Sequence, residues 1–266
     1  MKEINILGIK INDVSFTQAI NIIEKFLLSK KPRQIATVNS EFIMAAQKDE
    51  EFRHILNRSD LSVPDGAGLL FTSRYILNDP IRERVTGIDL VYGICELAEK
   101  RKYPIFLLGG ENGTEIKTAA ALKDKFPNLI IAGTHEGFPE LKKSNFNDFR
   151  QLRMTDIKPS KNDPNMEIIK KVHAGKPKIL FVAYGAPKQD KFIFRYKDIL
   201  NIPIMMGVGG SFDFISGKSS RAPIWIQKLW LEWLWRVFKE PWRINRIITA
   251  TVKFPLEVIK NRLFGA

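Results

Sequence analysis

The stretch Ile179-Leu-Phe-Val-Ala183, followed closely by Gly185-Ala-Pro187-Lys-Gln189, contains the pattern that decides the fold. A run of five residues with no polar position in it predicts a strand that is buried on both faces, as the strands of parallel sheets are. The glycine and proline behind this run predict a tight turn, and a helical pattern begins at about Pro187. Strand, turn and helix in this order form the repeating unit of an α/β protein.

The same pattern recurs from Met1 to about Phe214. It predicts strands at Ile4–Ile9, Gln34–Val38, Leu61–Val63, Ile105–Leu108, Leu129–Ala132, Ile179–Ala183 and Ile204–Val208. It predicts helices over about 15–29 and at Glu41–Asn57, Gly68–Leu77, Leu90–Arg101, Thr114–Phe126, Pro164–His173 and Pro187–Asp198. We therefore expect the α/β class, with an open, mostly parallel, Rossmann-like sheet, helices on both of its faces and a helical appendage at the C-terminal end.

Length and composition favour one main domain, because 266 residues with 44% hydrophobic content can bury one large core. We assign residues 1–220 to this α/β domain and residues 221–266 to the appendage. The net charge of +13 predicts an acidic partner, and charge alone leaves open whether it is anionic lipid, nucleotide phosphate or nucleic acid. Cys95 is the only cysteine, which excludes an intramolecular disulfide and fits a reducing compartment.

The tail, residues 221–266, has a composition of its own. It holds all five tryptophans within eighteen residues, and nine Lys and Arg against three Asp and Glu. Because indole rings favour the headgroup level of a bilayer and cations are attracted to anionic lipid, we expect the tail to dock on an anionic membrane surface. The residues expected to contact the membrane or a lipid diphosphate are Arg221, Trp235, Arg236, Arg243 and Arg246.

The apolar stripe of the tail also fits other partners. Ile226, Leu229, Trp230 and Trp233 follow the spacing of one face of a helix, and such a stripe can pack against its own domain or form a homo-oligomer. No apolar run approaches the roughly 20 residues that span a bilayer. The N-terminus also lacks the features of a signal peptide. We therefore expect a cytoplasmic protein that associates peripherally with the inner face of the cell membrane.

Polar side chains follow several predicted strands at the edge where ligands bind in open α/β sheets. Thr37 and Asn39 follow the second strand, and Asp65 follows the third. A carboxylate in this place can accept a proton from a substrate hydroxyl, so Asp65 is the candidate general base. The alternative is that Asp65 is a helix N-cap, while Thr37, Asn39 and Gln189 are turn or exposed helix residues.

A glycine-rich turn follows the fourth predicted strand and leads directly into a helix. It contains Gly109, Gly110 and Asn112. The free backbone N–H groups and the positive dipole end of such a helix favour a phosphate at this position. The alternative is a purely structural turn, which is also the preferred interpretation of Gly207–Gly210 taken alone.

The sequence argues against several other classes. His54, His135 and His173 are widely separated, and there is no Asp-x-Asp motif, so we expect no metal site. An NAD-dependent oxidoreductase would show the full glycine fingerprint and an acidic ribose ligand. A nucleic-acid-binding module would show an RNP, helix-turn-helix or zinc-finger pattern. None of these is convincing, so we expect no dinucleotide cofactor and no nucleic-acid partner.

Eight ordered blocks of the chain resemble the WecG/TagA/CpsF family of bacterial glycosyltransferases. They are Thr37-Val-Asn39-Ser, Pro64-Asp65-Gly66, Arg84-Val-Thr-Gly-Ile-Asp89-Leu, Leu108-Gly-Gly110, Gly185-Ala-Pro187-Lys-Gln189, Gly207-Val-Gly-Gly-Ser-Phe-Asp213, Arg221-Ala-Pro223 and Leu231-Glu-Trp-Leu-Trp-Arg236. The blocks span nearly the whole chain. Their common order is far more specific than any one of them.

The resemblance implies transfer of an N-acetylmannosamine-type sugar from a UDP donor to undecaprenyl-diphosphate-linked N-acetylglucosamine. The transfer inverts the anomeric carbon and needs no divalent metal or other cofactor. Teichoic-acid linkage-unit and enterobacterial common antigen synthesis are the settings of such enzymes. Related sequences use other substrates, so UDP-ManNAcA or UDP-glucose as the donor, for a capsule or exopolysaccharide, is the alternative. The resemblance also implies that the C-terminal segment docks the catalytic domain on the membrane.

The resemblance also implies roles for particular residues. Asp65 is the general base, and Thr37, Asn39, Arg84 and Gln189 line the pocket. Arg84 and the turn at 109–114 are our candidates for neutralising the departing diphosphate. The residues expected to contact the nucleotide sugar through small side chains or backbone are Gly109, Gly110, Asn112, Gly185, Pro187 and Gly209.

Three features depart from the family pattern. Asp190 stands where a glutamate is expected, and Tyr184 stands where a smaller residue is usual. The stretch Pro139–Asn165 is longer than the usual connection and has little periodicity, which predicts a mobile surface loop.

Overall fold

The computed structural model describes residues 1–137, 163–220, 222–223, 226, 234–235, 237, 241 and 244–265. Most of the predicted loop Pro139–Asn165 lies outside the described residues, and so do Arg221, Arg236 and Arg243 of the tail.

Six strands form one parallel sheet in the order β4-β3-β8-β7-β5-β6. Their bounds are β3 Arg33–Val38, β4 Leu61–Pro64, β5 Ile105–Gly109, β6 Ile131–His135, β7 Ile179–Ala183 and β8 Ile204–Gly207. The apolar runs predicted these strands because both faces of the sheet are covered, so nearly every position of β3, β4, β5, β7 and β8 is buried. The edge strand β6 is half-buried throughout and begins two residues later than predicted. The expectation of a parallel α/β sheet is confirmed.

The first predicted strand was wrong. Ile4–Ile9 is not part of the main sheet but belongs to an antiparallel hairpin of β1, Glu3–Ile6, and β2, Ile9–Asn12. The chain reverses at Leu7 and Gly8, which both have positive φ, the conformation of a two-residue hairpin turn. The alternating exposure of β1 and β2 also fits a strand pair with one buried face, not a central strand.

The hairpin lies beside the edge strand β4. The side-chain Oδ1 of Asn12 accepts a hydrogen bond of 2.7 Å from the backbone N–H of Ser62 in β4. Both residues are buried. A side-chain amide therefore occupies a position where a further strand would present a backbone carbonyl.

The helices cover both faces of the sheet. Their bounds are α1 Phe16–Ser29, α2 Ser40–Ala46, α3 Glu50–Arg58, α4 Ala67–Phe71, α5 Gly87–Arg101, α6 Thr114–Lys125, α7 Met166–Ala174, α8 Lys188–Leu200 and α9 Ser211–Ile215. The predicted helix Glu41–Asn57 is two helices, because Asp49 ends the pattern and caps α3 by accepting a hydrogen bond from the backbone N–H of Phe52. A π-helical turn, Thr72–Ile76, extends α4.

Three apolar clusters form the core. On one face of the sheet, Ile35 and Phe181 belong to a cluster with α1, α5 and α6. On the other face, Val38 packs with the hairpin, α2 and α3, and Val182 packs with α7 and α8. Because the helices cover both faces of the sheet, polar side chains lie at the carboxyl ends of the parallel strands and in the segments that follow them.

The end of the chain packs on the second of these faces. It consists of α10, Ile244–Ile248, a π-helical turn, Thr249–Lys253, and α11, Phe254–Phe264. Phe254 and Val258 are buried in the same cluster as the α2 residue Ile43. Among the described residues, none of the helices combines the length and apolarity that crossing a bilayer requires.

Candidate active site

A cleft of about 540 Å³ opens at the carboxyl edge of the sheet. Its lining includes residues that follow β3, β4, β5, β7 and β8, among them Thr37, Asn39, Asp65, Gly110, Tyr184, Gly185, Gln189 and Gly209. The structure thus brings together most of the residues that were predicted from the sequence to form one site. This is also where open α/β sheets bind their ligands.

Asp65 is fixed at the end of β4 by its neighbours. Its backbone N–H donates to the carbonyl of Val38 at 2.7 Å, and the carbonyl of Pro64 accepts from the N–H of Val85 at 2.9 Å. Gly66 has a φ of 135°, which lets the chain turn away directly behind the carboxylate. The backbone therefore holds Asp65 firmly while its side chain faces the cleft.

The carboxylate of Asp65 lies at the N-terminus of α5. Its Oδ2 accepts a hydrogen bond of 3.1 Å from the N–H of Gly87, the first residue of that helix. The helix that directly follows Asp65, α4, has Gly66 as its N-cap and no side-chain cap. Asp65 is therefore not the N-cap of α4, but its carboxylate does accept an N–H at the start of α5, so the helix-capping alternative holds in that form.

Thr37 lies beside Asp65. A Cβ added to Gly87 would lie 3.4 Å from Asp65 Oδ2 and 3.6 Å from Thr37 Oγ1, so both oxygens border the same small space. Thr37 is nevertheless 93% buried, because it belongs to the central strand β3. Its hydroxyl is close enough to orient a group that approaches the carboxylate.

Gln189 connects two turns of the cleft. Its backbone N–H donates to the carbonyl of Gly185, and its Oε1 accepts from the N–H of Gly209 at 2.9 Å. A Cβ added to Gly207 would lie only 2.5 Å from Gln189 Nε2, so the glycine makes room for this side chain. Gln189 is thus a buried connector, and the alternative of an exposed helix residue is wrong.

Four helices begin at the cleft: α2, α6, α8 and α9. Asn39 caps α2 by accepting a hydrogen bond of 3.0 Å from the N–H of Phe42, and Thr114 and Ser211 are the first residues of α6 and α9. Unpaired N–H groups and positive dipole ends converge at such termini. The cleft therefore suits an anionic ligand, although its lining also includes carboxylates.

Two cations that were not predicted to bind the nucleotide sugar also line the cleft, and each has a carboxylate partner. Lys218 pairs with Asp213 at 3.3 Å. Arg246, predicted as a contact of the membrane or of a lipid diphosphate, pairs with Glu41 at 2.6 Å and lines the cleft. The glycine and lysine at 217–218, directly behind the Gly207–Asp213 block, were a signal that could have identified Lys218. Arg246 could not be placed from sequence because its contact depends on how the tail folds back.

Other predicted residues lie outside the lining of the cleft. Gly109 lies behind it, where an added Cβ would be 2.9 Å from the backbone of Ala183. Asn112 is exposed in the turn, and Pro187 is the N-cap residue of α8. Arg84 is half-buried in the segment before α5. Trp235 is half-buried in the tail. No group of three metal-ligating side chains occurs within the described ranges.

A firmly held carboxylate beside a cleft of helix N-termini fits an α/β enzyme that transfers a group from a phosphate-bearing donor. The chain belongs to the glycosyl transferase WecG/TagA/CpsF family, whose model matches residues 4–266. The match confirms the family resemblance seen in the eight sequence blocks. The protein is therefore a glycosyltransferase.

Relatives of similar length carry a common name. The N-acetylglucosaminyldiphosphoundecaprenol N-acetyl-beta-D-mannosaminyltransferase of Bacillus subtilis (strain 168) is 31% identical over 248 residues, which cover 93% of this chain and 87% of the relative. Proteins of the same name from Bacillus spizizenii and Staphylococcus aureus (strain MW2) are 28% and 27% identical. These alignments cover 96% and 92% of this chain, and 90% and 88% of the relatives.

Proposed function

We propose that this protein transfers N-acetylmannosamine from UDP-N-acetylmannosamine to undecaprenyl-diphosphate-linked N-acetylglucosamine, with inversion, in the synthesis of a cell-wall polymer such as teichoic acid. The names of the relatives support the acceptor and the sugar. The observation that carries the proposal is the position of Asp65, which faces a cleft next to Thr37 and is held by the end of β4 and the start of α5.

The proposed chemistry is a single displacement. Asp65 accepts the proton of the acceptor hydroxyl, and the acceptor oxygen forms a bond to the anomeric carbon of the donor sugar. The bond between that carbon and the β-phosphate oxygen breaks, and UDP leaves with the electron pair. Thr37 and Asn39 lie at the carboxylate side of the cleft, where they can position the acceptor.

The departing diphosphate needs positive partners, which the N-termini of α6, α8 and α9 and two side chains supply. In the structure Lys218 forms an ion pair with Asp213, and Arg246 forms one with Glu41. When UDP binds, its diphosphate would replace these carboxylates as the partner of the two cations. Charge-assisted hydrogen bonds of this kind are roughly twice as strong as neutral ones. Arg84, half-buried near Asp65, remains a further candidate that this scheme does not require.

We also propose that the protein binds the membrane peripherally through its C-terminal helices, because its acceptor carries a polyprenyl chain. Exposed apolar residues recur every three or four positions there: Ile244, Ile248, Val252, Leu256, Ile259 and Leu263. Lys253, Lys260 and Arg262 lie among them. An apolar stripe with interspersed cations supports contact with an anionic bilayer.

The test of the base is Asp65→Asn. We expect transfer from UDP-N-acetylmannosamine to a lipid-diphosphate-linked N-acetylglucosamine analogue to fall by at least roughly 100-fold, because general-base catalysis contributes about that much or more. UDP affinity, measured by calorimetry, should change little. Asp198→Asn, which removes an exposed carboxylate of α8, is the matched control.

Near-normal turnover of the Asp65→Asn variant would exclude Asp65 as the base. A panel of UDP-sugars assayed with the wild type tests the donor in the same experiment. If transfer from UDP-ManNAcA or UDP-glucose is faster, that nucleotide sugar is the donor instead of UDP-N-acetylmannosamine, and the type of reaction stays the same.

A further inference from the structure

Three buried polar atoms cluster at the ends of β5, β6 and β7, away from Asp65. They are Glu115 Oε2 in the first turn of α6, His135 Nδ1 at the end of β6, and Tyr184 Oη directly after β7. None of the three has a hydrogen-bond partner among the residues that the structure describes. Glu115 is only 4% exposed.

Such a cluster needs a physical explanation. Leaving one buried polar atom without a partner costs about 1–3 kcal/mol, so most buried polar groups in proteins are paired. Three unpaired atoms at one end of the sheet therefore favour a ligand-binding site over a purely structural contact.

The cluster borders the cleft. Tyr184 and Gly110 both line the cleft, and a Cβ added to Gly110 would lie 3.5 Å from Glu115 Oε2. A Cβ added to Gly137 would lie 2.8 Å from His135 Nδ1 and 3.0 Å from Tyr184 Oη. Glycines at 110 and 137 thus keep open the space toward which these polar atoms point.

The hydrogen-bonding character of the cluster follows from its neighbours. His135 Nε2 lies 3.0 Å from Lys171 Nζ, which can only donate, so Nε2 accepts and Nδ1 carries the proton. Burial and, secondly, the charge of Lys171 lower the pKa of His135, which keeps the ring neutral. Burial raises the pKa of Tyr184, so its hydroxyl keeps its proton. The cluster therefore offers two donors and a carboxyl acceptor.

The position of the cluster matches one end of the donor. Neighbouring strands lie about 4.8 Å apart, and β8 and β7 separate β3 from β5. Thr37 and the Gly110 turn are therefore separated by roughly 14 Å along the sheet edge, so a ligand that contacts both must lie extended along this edge. With the sugar at β3 and β4 and the diphosphate at β7 and β8, the nucleoside reaches β5 and β6.

We propose that Glu115, His135 and Tyr184 form the nucleoside subsite, in which Glu115 accepts hydrogen bonds from the ribose hydroxyls of the donor nucleotide and His135 and Tyr184 donate to the base. A carboxylate is the usual protein partner of a ribose diol in α/β nucleotide sites. The carbonyl oxygens of a pyrimidine base suit the two donors. This assignment rests on the proposed UDP-sugar function and names how that nucleotide is read.

The test compares UDP with 2′-deoxy-UDP. Hydrogen bonds to a charged acceptor are worth enough that the wild type should bind UDP roughly 10- to 100-fold more tightly than the deoxy form. In Glu115→Leu the two affinities should agree within about 2-fold. Asp124→Leu removes an exposed carboxylate from the same helix and should keep the wild-type ratio.

Thermal unfolding without nucleotide separates a ligand site from a structural role. Replacing an unpaired buried carboxylate by an apolar side chain removes a desolvation penalty, so Glu115→Leu should match or exceed the wild-type Tm. Tyr184→Phe should weaken UDP binding by up to about 10-fold while retaining the preference over 2′-deoxy-UDP, because it removes a different hydrogen bond. If Glu115→Leu does not fold, Glu115→Gln takes its place, and the ratio should fall at least several-fold.

An unchanged ratio in the Glu115 variants would overturn the assignment, and so would a large drop in Tm with nucleotide preference intact. If the proposed function itself is wrong, the result is different, because the wild type would then bind neither UDP nor 2′-deoxy-UDP.

Discussion

The carboxyl group of Asp190 is buried in surroundings that disfavour its ionisation. It is only 1% exposed, in the first turn of α8, and neither carboxylate oxygen has a partner with hydrogen-bond geometry in the part of the chain that the structure describes. Burial raises the pKa of Asp190 to about 7, and its contacts with its own backbone N–H and with Gln189 offset this only in part. The family resemblance leads us to expect a glutamate here, whose side chain is one methylene longer.

The raised pKa makes stability depend on pH in a defined direction. The unfolded chain ionises Asp190 near pH 4, and the folded protein does so only near pH 7, so the folded state loses stability as pH rises across this range. The loss between pH 5 and 8 should be about 2–3 kcal/mol. Asp190→Asn should flatten this slope in denaturant titrations. Glu83→Gln, which changes an exposed carboxylate, should retain it, and a slope that survives in Asp190→Asn would contradict the assignment.

Single residues of the site were predictable to different degrees. Thr37, Asn39 and Asp65 were identified because parallel strands place the residues that follow them along one edge, which needs no knowledge of side-chain contacts. The connection from Gln189 to Gly209 was not foreseen, since it joins turns behind two different strands. Glu41 was missed because its role depends on Arg246, which is 205 residues away in the chain.

At the scale of secondary structure, α11 is attached to the domain by few side chains. Phe254 is fully buried beside α2, whereas Leu256 is 59% exposed. Phe254→Ala should lower the free energy of unfolding by about 3–5 kcal/mol if the helix unfolds with the domain. Hydrogen exchange over residues 244–264 should then become much faster than exchange in the sheet.

Leu256→Ala is the matched control, and it should leave both stability and exchange nearly unchanged, because exposed substitutions rarely exceed about 0.5 kcal/mol. Equal protection of residues 244–264 in Phe254→Ala and in the wild type would show that Phe254 is not the anchor.

Secondary-structure elements were predictable from the sequence where the apolar residues recur with a single period. All six parallel strands were found from their apolar residues, although β3 begins with Arg33-Gln34 and β6 ends with Thr134-His135. The β1–β2 hairpin was mistaken for one strand because Leu7-Gly8 lacks the Asn-Gly or Asp-Gly signature of a hairpin turn. The break between α2 and α3 was missed because the apolar period continues through it, and only the cap formed by Asp49 reveals it.

For the molecule as a whole, the stripe on α10 and α11 should govern binding to membranes. The double variant Leu256→Asp and Leu263→Asp removes two exposed leucines and adds two negative charges. Cosedimentation with vesicles containing anionic lipid should fall at least about 10-fold, since each buried leucine is worth about 1.5–3 kcal/mol. The KM for a polyprenyl acceptor should rise while UDP affinity stays the same.

Leu28→Asp provides the matched control. Leu28 is 67% exposed on α1, which packs on the opposite face of the sheet, so vesicle binding should remain at the wild-type level. Equal losses in both variants would mean that general charge, and not the C-terminal stripe, determines binding.

The contact between Asn12 and Ser62 has a consequence for the behaviour of this protein in concentrated solution. A sheet that ends in free backbone groups can recruit an identical edge from another molecule and start a fibril. At Ser62 the donor is already taken by an amide that cannot continue the ladder. A strand from another molecule that pairs with β4 would therefore have to displace the amide of Asn12 from Ser62.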